Sequence, residues 1–157
     1  LPSIGKPINE NNFHITLAFL GMTDSTQQDK LLRFCDEHFQ PFSKNRTQTT
    51  LSPIPVTVNT LGLFQKPKVL YLGFSSFDHT LIGIAKQLNQ QAKKLAIFQE
   101  ERAYLPHISL YRKSKTLPNI SPSEISLNLA SFSLYHSQST SYGVMYSSLK
   151  TWSLVKK

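Results

Sequence analysis

Phe13-His14-Ile15-Thr16-Leu17 and Pro106-His107-Ile108-Ser109-Leu110 repeat one pattern in two distant parts of a 157-residue chain. Each sets a histidine, one apolar residue and a hydroxyl residue inside a run of alternating character, the pattern of a β-strand. Successive strand side chains point to opposite faces, so His14 and Thr16 share one face while Phe13, Ile15, Leu17 and Phe19 share the other. The same arithmetic joins His107 to Ser109. Each strand is thus expected to present an imidazole and a hydroxyl on one side and to anchor itself by the other.

Two such strands facing each other would supply two proton-transfer groups and two donors for phosphate oxygens. Histidine suits the first role because its ordinary pKa, about 6.5, keeps both protonation states accessible near neutral pH. The hydroxyls suit the second, since donors aimed at developing charge stabilise it. Metal binding is the rival use of paired histidines. Catalytic zinc sites take three protein ligands from His, Cys, Asp and Glu, whereas the same-face neighbours here are Thr16 and Ser109. Acid and base chemistry is therefore the expected use, with no metal.

In their longer contexts, His14-Ile15-Thr16-Leu17-Ala18-Phe19-Leu20-Gly21 and Arg102-Ala103-Tyr104-Leu105-Pro106-His107-Ile108-Ser109-Leu110-Tyr111-Arg112 resemble the two signatures of the two-histidine phosphoesterases. Within that superfamily the resemblance is to the bacterial RNA 2′,3′-cyclic phosphodiesterases, also called 2′-5′ RNA ligases. It implies an α+β fold: two similar lobes of antiparallel sheet, related by a pseudo-twofold, with outer helices around a central cleft. It also implies hydrolysis of an RNA-terminal 2′,3′-cyclic phosphate to a 2′-phosphate, without cofactor or metal.

In that scheme His107 is assigned as base and His14 as acid, although the residues themselves leave the two interchangeable. Thr16 and Ser109 would hold the phosphate oxygens. Arg102, Tyr104 and Arg112 are candidate RNA contacts, and Phe64 is a further candidate for base stacking. Strand alternation puts Arg112 on the face opposite His107 unless the strand bulges. The expected partner is an RNA end carrying the cyclic phosphate, tRNA fragments among the candidates, met by a monomer. ATP-independent 2′-5′ joining by the reverse chemistry is the alternative activity, and a silent RNA-binding module of the same fold is the alternative class.

Bulk properties agree with this picture. The chain suits one two-lobed domain over residues 1–157, and its 39% hydrophobic and 17% charged content is that of a globular protein. Seventeen basic against nine acidic residues leave a net charge of +8, which favours polyanionic partners. Cys35 is the single cysteine, so an intrachain disulfide and a Cys-based zinc site are excluded. A reducing, cytoplasmic setting is expected, since no apolar run approaches the roughly 18 residues of a membrane span and the first residues lack a leader pattern.

Residues 1–12 read as an irregular entry rich in Pro, Gly and Asn. Members of the resembling family carry a strand and a helix ahead of the first motif, so the chain is expected to be a fragment lacking them. Ser25 to Gln28 offers a capping box for a helix with Leu31, Leu32, Cys35 and Phe39 at helical spacing, stopped near Pro41. A loop is expected over Lys44 to Thr50, then strands from Val56 to Phe64 and from Val69 to Phe74, joined through Lys66-Pro67-Lys68. Asp78 is expected to cap a second helix striped by Leu81, Ala85, Leu88, Ala92 and Leu95. The second motif strand should span Tyr104 to Arg112, followed by strands around residues 125–135 and from Val144 to Val155. Trp152 and Tyr146 are expected in the core. His38, His79 and His136 are read as having no catalytic duty.

Overall fold

The computed structural model describes residues 4–39, 53–77 and 79–154. Its elements run β1 (Lys6–Pro7), α1 (Ser25–Phe39), β2 (Ile54–Phe64), β3 (Val69–Phe77), α2 (His79–Lys94), β4 (His107–Arg112), β5 (Ile125–Leu129), β6 (Ser131–Thr140) and β7 (Gly143–Ser153). A 3-10 turn occupies Glu10–Asn12. Strands β1-β4-β3-β2-β5 form one sheet in that order, and β6 and β7 form a second. Every pairing is antiparallel. This is the α+β architecture that the two motifs imply, although the two sheets differ in strand number among the described residues.

Both helices form where apolar spacing predicts and bury most of the predicted stripes, with Leu32 partly buried and Leu95, also partly buried, just past the end of α2. Leu31, Cys35 and Phe39 of α1 are buried, as are Leu81, Ala85, Leu88 and Ala92 of α2. One cluster joins these stripes to Ile54 and Val56 of β2 and to Trp152 of β7. Each such Leu, Ile or Val contributes about 1.5–3 kcal/mol on burial. The capping box sits one residue earlier than the sequence suggests. Asp24 Oδ1 accepts from the Gln27 amide at 2.7 Å, while the Asp24 amide donates to Gln27 Oε1 at 3.0 Å. Two amide donors left open at the helix start are satisfied reciprocally.

The second sheet docks on α1 through Asp36, whose Oδ1 accepts from Trp152 Nε1 at 2.9 Å and whose Oδ2 accepts from Lys150 Nζ at 2.8 Å. Trp152 is core, as expected; Tyr146 is half-buried and faces the first motif instead. The Lys66-Pro67-Lys68 turn joins β2 to β3 as predicted, with Lys68 at φ 54°. The expected stop at Pro41, the loop over Lys44 to Thr50, the Asp78 cap and the strand end at Val155 lie outside the described residues.

Two local differences matter for the site. The first motif is not a regular strand: Ile15 forms a single antiparallel bridge to Ile108, and Phe13 and Phe19 are exposed. Side chains from elsewhere take the carbonyls that a ladder would have used. Thr16 O accepts from Tyr104 Oη at 2.9 Å, Leu17 O from Asn89 Nδ2 at 3.3 Å and Phe19 O from Gln99 Nε2 at 2.8 Å. The second motif strand begins only at His107, and residues expected to be an irregular entry supply β1, which pairs with its far end.

Candidate active site

The Ile15–Ile108 bridge sets the register of the two motifs. In an antiparallel pair the flanking residues meet in reverse order, so His14 comes opposite Ser109 and Thr16 opposite His107. Ile15 and Ile108 turn to one side and all four polar side chains to the other. The imidazoles occupy one diagonal of this array and the hydroxyls the other. Diagonal neighbours across a strand pair stand about 7–8 Å apart, room for one phosphate with a charge-assisted hydrogen bond to each ring. Among the described residues no hydrogen bond occupies the Thr16 or Ser109 hydroxyl.

Each histidine is held in the same way. His14 Nδ1 lies 2.7 Å from Asn12 O, and His107 Nδ1 lies 2.8 Å from Leu105 O. In both, the acceptor is the carbonyl two residues earlier. A carbonyl only accepts, so Nδ1 carries a proton in both rings and Nε2 is the nitrogen left to meet a ligand. The tether fixes the orientation of each ring whatever meets its Nε2.

Each ring also has a tyrosine beside it. Tyr146 of β7 lies 5.1 Å from His14, and Tyr71 of β3 lies 5.4 Å from His107, with interplanar angles of 57° and 64°. One tyrosine comes from each sheet, so the site lies where the sheets meet. Phe64 stacks on Tyr71 at 4.2 Å and stands edge-on to His107 at 4.9 Å. Tyr71 faces Gly62 on β2, where a Cβ would overlap its ring. The glycine is what lets Tyr71 lie down beside the histidine. Asn12 also donates from Nδ2 to Val144 O at 2.9 Å, tying the carbonyl that orients His14 to β7.

The remaining candidates separate. Tyr104 packs against the core and donates to Thr16 O, so it positions the first motif; burial pushes its hydroxyl pKa up. Arg102 pairs with Glu100, which leaves it less available to an anion. Arg112 is better placed than simple alternation allows. Tyr71 pairs with Ser109 and Leu70 with Tyr111, so Leu110 is an extra residue in β4. That bulge returns Arg112 to the side of His107 and Ser109. Among the described residues no group of three or more His, Cys, Asp and Glu is placed to hold a metal ion. His79 and His136 are exposed, and His38 stacks on Phe34 within α1.

Asn12 and Tyr71 are neighbours that sequence reading does not single out, and Tyr146 is one it assigns to the core. Only Asn12, two residues before His14, lies close enough in the chain to have been a signal.

Known proteins resemble this chain in sequence and in fold. Residues 3–148 match the family model described as the AKAP7 2′5′ RNA ligase-like domain. The chain is 29% identical over 157 residues to the RNA 2′,3′-cyclic phosphodiesterase of Escherichia coli, covering 99% of this chain and 83% of that protein. It is 24% identical over 160 residues to the protein of the same name from Methanocaldococcus jannaschii, covering 94% and 83%. Among solved structures, the E. coli LigT complex with 3′-AMP superposes with a TM-score of 0.85 at 28% identity, covering 99% of this chain and 84% of that one. The LigT complex with phosphate gives 0.78 at 27% identity, covering 99% and 83%. Matched by that domain model over residues 3–148 and sharing the fold of these structures, this chain belongs to the AKAP7 2′5′ RNA ligase-like family of two-histidine phosphoesterases.

Proposed function

We propose that this protein hydrolyses RNA-terminal 2′,3′-cyclic phosphates to 2′-phosphates by acid and base catalysis between His14 and His107. The observation that carries the reading is the Ile15–Ile108 bridge, which gathers both histidine-hydroxyl pairs on one face. The cyclic phosphate binds between the rings, its non-bridging oxygens on Thr16 and Ser109. His107 Nε2 takes a proton from water as the water oxygen bonds to phosphorus. The bond from phosphorus to O3′ breaks, and protonated His14 gives its Nε2 proton to O3′. The product is a 2′-phosphomonoester with a free 3′-hydroxyl, and both rings end in exchanged protonation states that solvent resets. Relatives named RNA 2′,3′-cyclic phosphodiesterase support this reaction class.

The family description also names 2′5′ ligation. The same groups run that reaction when a 5′-hydroxyl replaces water, which makes ATP-independent joining the second reading. The chain is read as a cytoplasmic monomer acting on RNA ends, tRNA fragments among them. An oligoribonucleotide with a 2′,3′-cyclic end, incubated with enzyme and chelator, tests the proposal. Phosphorus NMR should show a 2′-monoester; a 3′-monoester, or turnover only with added divalent metal, contradicts it.

A further inference from the structure

Strand β1 sets Lys6 directly opposite Arg112 of β4. Both are exposed, and like charges facing each other across a strand pair are unfavourable. Among the described residues neither has a carboxylate partner. The bulge at Leu110 turns Arg112 to the side of His107 and Ser109, and its cross-strand partner Lys6 turns the same way.

More cations gather at this end of the sheet. The Ser114 amide donates to Lys68 O at 2.9 Å, which fastens the Lys66-Pro67-Lys68 turn against the segment that follows Arg112. The segment that leads into β4 is charge-balanced. There Glu100 pairs with Arg102 and Glu101 with Lys93. Among the described residues, cations without an ion-pair partner therefore lie past the histidine, at Lys6, Lys68 and Arg112. With Leu110 bulged out, Arg112 lies two strand steps beyond Ser109 on the same face, about 7 Å at roughly 3.3 Å per step. Its long side chain, extending away from Ser109, comes within reach of the phosphate next to the one Ser109 holds. Phe64, stacked on Tyr71 at the turn end of β2, gives the interval between an aromatic surface.

We propose that the end of the five-stranded sheet carrying Lys6, Lys68 and Arg112 binds the backbone phosphates of the nucleotides 5′ to the reacting terminus. The substrate is then the end of a single strand and not a free cyclic mononucleotide. The inference rests on the cyclic phosphodiesterase reading and adds the direction in which the strand leaves the site. Cations facing each other without carboxylates are stabilised by an array of phosphates, whose counterions they release.

The test compares kcat/KM for a cyclic mononucleotide with that for a six-residue oligonucleotide bearing the same 2′,3′-cyclic end, over a range of salt, in wild type, Lys6→Ala and Lys6→Arg. Wild type should prefer the oligonucleotide. Lys6→Ala should cut that preference about tenfold at low salt and flatten the oligonucleotide's log–log salt slope by about 0.7, the single-strand value for one phosphate contact. Lys6→Arg should keep both. A preference unchanged in Lys6→Ala, or a loss of equal size on both substrates, overturns the ledge and leaves the hydrolytic reading standing. Failure of wild type to open either substrate overturns the hydrolytic reading and the ledge with it.

Discussion

Tyr71 lies across the bare backbone of Gly62 and presents the ring that flanks His107. A methyl group at position 62 must push against the far end of that tyrosine, which can swing, so the fold should survive while the ring moves toward the histidine. Gly62→Ala is expected to lower kcat between about tenfold and a hundredfold, the usual consequence of displacing a catalytic group by about an ångström. Its unfolding midpoint should stay near that of wild type, as steady-state kinetics beside urea titration would show. At this scale His14, Thr16, His107 and Ser109 were legible because each pair lies two residues apart on one strand face. Tyr71 and Tyr146 were not, because nothing local ties a tyrosine to a histidine tens of residues away. Tyr104 is expected from the sequence as an RNA contact; its bond to Thr16 O gives it a positioning role.

At the end of α2, the Ile97 amide donates to Ala92 O at 2.9 Å and the Ala96 amide to Lys93 O at 3.0 Å, with Ala96 at φ 60°. This closure ends a helix with a left-handed residue, a position glycine fills at lower cost. Ala96→Gly should therefore stabilise the protein by about 1 kcal/mol, seen as a higher melting temperature with unchanged activity. Both helices were legible from apolar spacing, since burial of a stripe outweighs local detail. The first motif was misread as a strand for a physical reason. Alternation reports which side chains face inward, not who bonds the carbonyls, and those partners, Asn89, Gln99 and Tyr104, are far along the chain. The strand pairing of Lys6–Pro7 was hidden because two residues carry no period. The bulge in β4 was foreseen only as a condition on Arg112, since a bulge is set by the neighbouring strand.

Across the whole molecule, the core between the helices and the second sheet encloses Cys35, whose thiol is pushed from an ordinary 9.0 up to about 12, chiefly by burial and further by Asp36. Tyr104 is raised by burial as well. Above pH 9.0 the unfolded thiol loses its proton while the folded one keeps it, so the unfolded state binds fewer protons. Stability is then full below pH 9.0 and falls as pH climbs toward about 12. Urea midpoints across that range should decline, and less steeply in Cys35→Ala. The convergence of two distant motifs was legible as a requirement of the chemistry; the bridge that achieves it is a tertiary contact and emerges only when the chain is folded. The pH dependence of kcat/KM on a cyclic-ended oligonucleotide, for wild type, His14→Ala and His107→Ala, tests that convergence most directly. A bell-shaped profile for wild type and a loss of about 10²–10⁴-fold in each variant, with folding intact, are the predicted results; full activity in both variants would contradict the account.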